Sequence, residues 1–250
     1  MVSRSGRVWG LIADQARLRG GLISATDACA AAVAAVEVTG AWLSAARNAE
    51  AGYLIAATNG VSERLAELEL TLGEGPSLDA ATAGAPVLAS DLAAAEYGWR
   101  WPTFAQAALA AGPVAIFVFP LRIGAIRAGV LGMYREKPGS LSAIQLGDAL
   151  TVAEIATLLL LGIDGNGHNG ADSGTGPGGQ PPDLARHRAE IDQATGMLTE
   201  QLSTSIDDAF VQLRAYAYSR DLRPIDVARD IVARRLRLYP SAGSPLDGDT

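Results

Sequence analysis

The chain has 250 residues, of which 49% are hydrophobic and 19% charged, and its net charge is −7. This composition is typical of globular proteins and allows one large domain or two modest ones. A single Cys excludes an intramolecular disulfide framework and fits a reducing compartment. We find no signal peptide and no apolar run of the ~18 residues that a membrane span needs. We therefore expect a soluble, cytoplasmic protein.

The charge is distributed unevenly along the chain. Residues 1–161 carry a net −3, residues 162–185 another −3, and residues 239–250 a net −2. Residues 186–238 hold nine Arg against eight acidic side chains, so this segment alone is not acidic. A net charge of +1 is nevertheless a weak electrostatic footprint for nucleic-acid binding.

A Gly- and Pro-rich segment, residues 162–182, divides the chain. It contains eight Gly and three Pro, with Ile163 as its one large apolar side chain, and therefore cannot bury a core. We predict a flexible linker here, between a first domain at residues 6–161 and a second at residues 183–238. Residues 239–250 are expected to be a disordered tail.

The first domain alternates predicted helices with adjacent pairs of strands. Helices are expected at residues 7–19 and 26–38, strands at 41–46 and 52–58, and a helix at 62–70, with Thr26 and Ser62 as N-caps. Residues 72–92 should form a loop, a short helix and a short strand, and residues 103–110 a helix. A hairpin of strands 114–120 and 127–134 turns around Gly124, and a long helix at 141–161 closes the domain. Paired strands predict the α+β class, with an antiparallel sheet flanked by helices.

The second domain is predicted to be a small all-α bundle. Apolar stripes indicate helices at residues 184–202 and 205–219, and a third helix that begins at Pro224 and buries a stripe as far as Leu236. Ser205, with Asp208 three residues later, is close to a capping box. Three short helices are marginally stable alone, so we expect dimerisation or docking.

The second domain resembles the ANTAR domain, a family that binds RNA. The resemblance runs from about Arg186 to Leu236, and its family pattern comprises Ala194-x-Gly196, Ala209-Phe210, Leu213-Arg214, Ala217 and Val227-Ala228. It implies a protein that blocks transcription termination by stabilising paired hairpin loops in leader transcripts. Thr195 departs from the pattern, because many members have Lys there, and this would remove a phosphate contact without affecting base readout.

Candidate RNA-binding residues follow from how loop bases are recognised, by stacking on flat side chains and by hydrogen bonds to base edges. Gly196 costs about 1 kcal/mol inside a helix, so we expect another helix or a nucleotide to approach it closely. Tyr216 and Tyr218 could equally be half-buried core residues, and the Arg residues at 234, 235 and 237 could instead complement a helix dipole. The candidates are Arg188, Gln193, Thr195, Gly196, Arg214, Tyr218, Arg220 and Arg223.

The first domain looks like a GAF domain of the kind fused to ANTAR modules in actinobacteria. The resemblance rests on GEGPSLDA at residues 73–80, RWPTF at 100–104 and the hairpin at 120–135. It implies that this domain senses an unidentified small molecule or serves to dimerise. The aromatic cluster could line a ligand pocket with one cationic group, or form a corner of the core. The candidate pocket residues are Trp99, Arg100, Trp101, Phe104 and Phe117.

Cofactor and catalytic chemistry are not indicated. Both His residues lie outside the GAF-like region, which argues against a His-ligated haem, and Cys29 lies in an Ala-rich helix typical of a core position. Nucleophile patterns and the phosphate-binding G-x-x-x-x-G-K-[ST] motif are missing from the sequence. We therefore expect a protein that holds no cofactor or metal and is not an enzyme.

The leading hypothesis is a homodimeric signal-transduction regulator with helix 141–161 at the dimer interface. Because Gly-rich linkers transmit little torque, control by exposure or local concentration of the RNA module is favoured over a rigid twist. The alternative is a ligand-binding or dimerisation protein whose bundle binds RNA weakly or serves protein interaction. DNA binding by the three helices is a third possibility.

Overall fold

A computed structural model of the chain describes residues 3–47, 50–162, 182–220 and 222–239. The chain divides into two compact units, Met1–Ala185 and Arg186–Thr250. Most of the predicted linker, at 163–181, and of the predicted tail, at 240–250, lies outside the described residues, so both remain predictions.

The first unit is built on a five-stranded antiparallel sheet in the order β2-β1-β5-β4-β3. Its elements are α1 Arg4–Arg19, α2 Ala25–Val36, β1 Gly40–Arg47, β2 Glu50–Ala57, α3 Gly60–Leu72, α4 Pro76–Ala83, β3 Val87–Ala89, α5 Ala95–Arg100, α6 Pro102–Ala110, β4 Ala115–Ile123, β5 Ile126–Arg135 and α7 Ala143–Leu160. The predicted α+β class, with an antiparallel sheet flanked by helices, is confirmed.

Helices cover both faces of this sheet. Because side chains alternate along a strand, Phe117 and Phe119 of β4 point into a core formed with α1, α2 and α7. Ile116 and Val118 point into a second core, formed with α3, α4 and α6. The sheet is therefore a middle layer, and neighbouring residues of one strand belong to different cores.

Two predicted helix starts are wrong by a few residues, because an earlier side chain provides the cap. Ser24, not Thr26, caps α2 and forms a capping box with Asp27. Asn59, not Ser62, caps α3, since its side chain accepts a hydrogen bond from the Ser62 N–H at 2.9 Å. The six-residue helix α5 was not predicted.

Helix α7 has 18 residues and, within the described chain, is the one helix long and apolar enough to cross a membrane by length and composition. The expectation that no stretch reaches this length is therefore wrong. The helix packs on α2, β4 and β5, and its buried Asp148 lies 2.6 Å from Arg7 and 3.2 Å from Arg4 of α1. These contacts are those of a core helix, although Ile144 and Leu150 stay exposed.

The second unit consists of α8 Pro182–Leu202, α9 Ile206–Ser219 and α10 Pro224–Val232. The Ser205 side chain accepts from the Asp208 N–H at 3.1 Å, and Pro224 takes the first position of α10, as predicted. Because α10 ends at Val232, Leu236 is not part of its stripe, which corrects the predicted extent. Each helix buries an apolar stripe: Ile191, Ala194 and Leu198 in α8, Ala209, Phe210, Leu213 and Ala217 in α9, and Ile225, Val227, Ala228 and Ile231 in α10.

Candidate nucleic-acid interface and ligand site

Helix α9 and its C-cap residue carry two guanidinium groups stacked on aromatic rings. The Arg214 guanidinium lies 5.1 Å from the Phe210 ring centroid, and that of Arg220 lies 4.7 Å from the Tyr216 ring. Both pairs are four residues apart, the spacing that places side chains one above the other on a helix. Tyr218 is 58% exposed, so it is not the half-buried core residue considered above. The helix therefore presents flat cationic and aromatic groups together.

Several Arg side chains of this unit are neutralised by neighbouring carboxylates. Arg223 donates to both carboxylate oxygens of Asp226, at 2.8 and 3.0 Å. Arg229 lies 2.9 Å from Glu190, and Arg235 forms an ion pair with Asp230. Such pairs reduce the cationic surface that could meet phosphate groups.

The exposed cations of the unit without an ion pair are found at its helix exits. Within the described residues, Arg220, Arg234 and Arg237 are exposed and form no ion pair with a carboxylate. Arg234 has a backbone φ of 58°, a left-handed conformation that L side chains adopt at some energetic cost. Among the side chains that the structure describes, the unpaired positive charge of this unit therefore follows the C-terminal ends of α9 and α10.

Helix α8 separates its predicted RNA-binding residues. Thr195 is completely buried, and its hydroxyl donates to the Ile191 carbonyl at 2.7 Å, so it faces inward rather than toward a phosphate. Gln193 is exposed. Gly196 borders open space, because beyond its own stretch of helix no described atom lies within 4 Å of where a Cβ would be, so packing of another described helix does not explain this glycine. The side chain of Arg188 lies outside the described part.

The structure brings together three of the five candidate pocket residues of the first unit, because Arg100 and Phe104 both lie against Trp101. Trp99 is 87% exposed, whereas Trp101 and Phe104 are buried in the core beneath α3 and α4. Phe117 belongs to the core on the opposite face of the sheet. Arg100 stacks over Trp101 at 5.0 Å and forms an ion pair with Asp79 at 2.6 Å. Trp101 and Phe104 thus form a corner of the core, whereas Trp99 and Phe117 lie apart from it, and a ligand pocket lined by these residues stays a prediction.

Carboxylates join the two GAF-like motifs of the first unit. Glu74 accepts from the N–H groups of Thr103 and Phe104, both at 2.7 Å, and so caps α6. Asp79 accepts from the Trp101 indole N–H at 3.1 Å. The segments 73–80 and 100–104 therefore support one another structurally.

Glu69 and Cys29 are buried groups of the first unit whose pKa values are raised. Burial raises the pKa of Glu69 to about 8, although its hydrogen bond with the Ser77 N–H, at 2.6 Å, opposes that rise. Sequence reasoning missed Glu69. Burial also raises the pKa of the Cys29 thiol, which is fully buried in the core as predicted.

Comparison with known proteins relates the two units to different families. A comparison with curated proteins finds no match. The chain is similar in structure to the GAF domain of a phosphoenolpyruvate-protein phosphotransferase from Acinetobacter, with 14% identity, a TM-score of 0.45, and coverage of 63% of this chain and 90% of that one.

Two further solved structures are similar. The GAF domain of the corresponding phosphotransferase from Coxiella burnetii matches with 10% identity and a TM-score of 0.44, over 62% of this chain and 93% of that one. A domain of a protein described as a two-component sensor histidine kinase, from Sinorhizobium meliloti 1021, matches with 20% identity and a TM-score of 0.41, over 52% of this chain and 83% of that one. In the second unit, residues 184–232 match the ANTAR domain family. The chain thus carries an ANTAR domain, built from α8, α9 and α10, after an α+β domain.

Proposed function

We propose that this chain is a cytoplasmic, non-catalytic regulator that binds RNA and favours transcription antitermination. The observation that carries the proposal is the match of residues 184–232 to the ANTAR domain. In this proposal the domain grips paired hairpin loops of leader transcripts, the protein acts as a homodimer, and the GAF-like first unit senses a small molecule or dimerises.

The surface of α9 suits unpaired loop bases. A guanidinium stacked on an aromatic ring is a flat cationic platform on which a base can stack, and its N–H groups can donate to base edges. Arg214 and Arg220 supply two such platforms, and the exposed Tyr218 supplies a third flat group. Arg220 also lacks a carboxylate partner among the described residues, so it remains able to pair with phosphate.

Gly196 fits the same proposal. Apart from its own stretch of helix, no described protein atom borders the space where its Cβ would be, and a nucleotide approaching α8 there would account for a glycine in mid-helix. In this proposal the buried Thr195 packs inside the bundle. Its presence in place of the more usual Lys therefore bears less directly on RNA contacts.

The test is the affinity of the full chain for a pool of double-hairpin RNAs with randomised loops, measured across a salt series. We expect affinity to fall with salt, as it does when cations replace counterions on phosphate. Arg220→Gln should weaken binding about tenfold and reduce the salt slope by about 1, since one phosphate or stacking contact is lost. Arg64→Gln, an exposed Arg of α3 in the first unit, is the matched control and should bind as the wild type does.

A second function, protein interaction with weak RNA affinity, is favoured by one observation. Helix α9 and the segment that follows it expose apolar side chains, with Val211 47% and Tyr218 58% exposed on the helix and Leu222 43% exposed after it. Exposed apolar surface of this kind often marks a protein contact. Salt-insensitive RNA binding that Arg220→Gln and Arg214→Ala leave unchanged would favour this function. Preference for duplex DNA over hairpin RNA in competition would favour DNA binding.

A further inference from the structure

The three helices of the second unit are net acidic, whereas the segment that follows them is strongly basic. Residues 184–232 hold six Arg against eight acidic side chains, a net charge of −2. Residues 233–239, which we call the post-α10 segment, hold three Arg and no acidic side chain, a net charge of +3. Because cationic side chains drive binding to RNA phosphates, the helices alone do not supply the net charge that the proposed function needs.

A hydrogen-bonded turn fixes where the post-α10 segment leaves the bundle. The Arg235 N–H donates to the Asp230 carbonyl at 2.8 Å. The Arg234 N–H donates to the Ile231 carbonyl at 2.9 Å, and together these are the two bonds of a Schellman motif. The Leu236 N–H adds a third bond, to the same Asp230 carbonyl at 3.1 Å. The start of the segment is therefore held on the bundle by its own backbone.

Beyond this turn, the side chains of the post-α10 segment alternate between half-buried and exposed positions. The half-buried ones are Leu236 and Leu238, and the exposed ones are Arg235, Arg237 and Tyr239. Such alternation is typical of an extended backbone, whose successive side chains point to opposite sides. Arg237 and Tyr239, the latter 79% exposed, therefore lie together on a side that faces solvent.

Contacts within the protein do not account for Arg234 and Arg237. Among the residues that the structure describes, neither guanidinium forms an ion pair or donates a hydrogen bond, whereas Arg235 pairs with Asp230 at 2.7 Å.

The backbone and the helix dipole do not account for these two arginines either. Arg234 has a left-handed φ of 58°, at the position of a Schellman motif that usually holds Gly. A cation near the end of α10 complements the helix dipole, but this effect is confined to the last turn. Arg237 lies five residues after Val232, the last residue of the helix, and is therefore beyond its reach.

We propose that the post-α10 segment is a second RNA contact, at which Arg234 and Arg237 bind backbone phosphates and Tyr239 stacks on an unpaired base. The proposal rests on the proposed function, and it adds a contact outside residues 184–232, the part that matches the ANTAR domain. A guanidinium without a carboxylate partner can bind a phosphate without first breaking an ion pair. The exposed tyrosine ring offers a flat face on which a base can stack.

The affinity of the full chain for the pool of double-hairpin RNAs, measured across a salt series, tests this second contact. Arg234→Gln and Arg237→Gln should each reduce the salt slope by about 1, and the double variant by about 2, because each substitution removes one phosphate contact. Tyr239→Leu should weaken affinity at least about fivefold and leave the salt slope unchanged, since the tyrosine stacks but carries no charge.

Arg235→Gln is the matched control, because it removes the same charge from the same segment, but from a guanidinium already paired with Asp230. Its salt slope should change by less than about half as much as that of Arg237→Gln. Arg237→Lys keeps the charge and should keep the wild-type slope. Thermal unfolding shows whether each variant is folded, and Arg237→Gln alone decides if Arg234→Gln disturbs the turn.

The outcomes separate failure of the second contact from failure of RNA binding itself. If the wild type binds RNA and Arg220→Gln weakens that binding, but folded Arg237→Gln keeps the wild-type affinity and salt slope, the second contact alone is overturned. It is also overturned if Arg235→Gln reduces the slope as much as Arg237→Gln does, because net charge would then explain both effects. If the wild type binds no RNA, the proposed function and the second contact are both overturned.

Discussion

Replacing Glu69 by Gln tests whether the interior beneath α3 holds a neutral carboxyl group. Glu69 is only 2% exposed, and it accepts a hydrogen bond from the Ser77 N–H at 2.6 Å. Burial raises its pKa from 4.5 to about 8. A Gln side chain keeps the shape and an accepting oxygen but cannot ionise, so Glu69→Gln isolates the effect of titration.

The sign of the pH dependence follows from that raised pKa. Between pH 4.5 and about 8 the folded first unit keeps a proton that the unfolded chain has released. The stability that the proton on Glu69 contributes to the folded unit is therefore complete below pH 4.5 and is lost as the pH rises toward 8. Each pH unit between the two pKa values changes the free energy of unfolding by about 1.4 kcal/mol per proton. As the pH rises from about 5.5 to 8, the free energy of unfolding of Glu69→Gln should therefore increase by roughly 3 kcal/mol relative to that of the wild type.

Urea unfolding at several pH values, followed by tryptophan emission, measures this difference. All four Trp residues precede residue 162, so their emission reports the first unit alone. Glu63→Gln, exposed on the same helix, controls for the loss of a carboxyl group as such. A stability difference between Glu69→Gln and wild type that stays constant with pH would refute the reasoning, and an equal change in Glu63→Gln would attribute the effect to net charge.

The remaining predictions concern both units. Gly196→Ala should raise helix stability by about 1 kcal/mol, which slower amide exchange in α8 would show, and it should weaken RNA binding. Gly10→Ala, a control in equally open space on α1, should leave RNA binding unchanged. Unchanged RNA affinity in Gly196→Ala would remove that glycine from the interface. Thr195→Val should alter RNA affinity less than about twofold, because the hydroxyl bonds its own helix, and a large loss would contradict its inward placement. The Cys29 thiol should react with a disulfide reagent only as the first unit unfolds, because it is buried and burial raises its pKa. Rapid labelling of the native protein would disprove this.

The elements that the sequence predicts well are those determined locally. Ser205 and Pro224 begin α9 and α10 as predicted, because a cap or a first-turn Pro acts within a few residues of its own position. The starts of α2 and α3 were misplaced because Ser24 and Asn59, a few residues earlier, are also good caps. Choosing between adjacent capping residues requires the path of the preceding chain.

The arrangement of the five candidate pocket residues could not be predicted from the sequence because it depends on long-range packing. Trp99 and Trp101 are two residues apart, yet one is exposed and the other buried, because α5 buries no residue whereas α6, which follows Trp101, packs in the core. The sequence did contain a sign that Phe117 lies apart from the other candidates, since Ile116 and Phe117 must occupy opposite faces of a strand. It also contained a sign that Glu69 is buried, because this acid lies on the inward stripe of α3, four residues after Leu65.

The proposed RNA surface was predicted in composition but not in arrangement. The Arg and Tyr residues of α9 were named from the sequence, whereas their stacking and the carboxylate partners of Arg223 and Arg229 depend on side-chain conformation. Which cations remain unpaired within the described chain is therefore a result of the three-dimensional structure.

Ultraviolet crosslinking of the full chain to hairpin RNA, with the modified peptides identified by mass spectrometry, tests the central claim most directly. The account predicts crosslinks at Tyr216 and the exposed Tyr218, in the tryptic peptide of residues 215–220. Fewer crosslinks at these two tyrosines are expected in Arg220→Gln, where loss of a trypsin site places them in a longer peptide. Crosslinks confined to the first unit, or none within residues 206–223 despite RNA binding, would contradict the placement of RNA on α9.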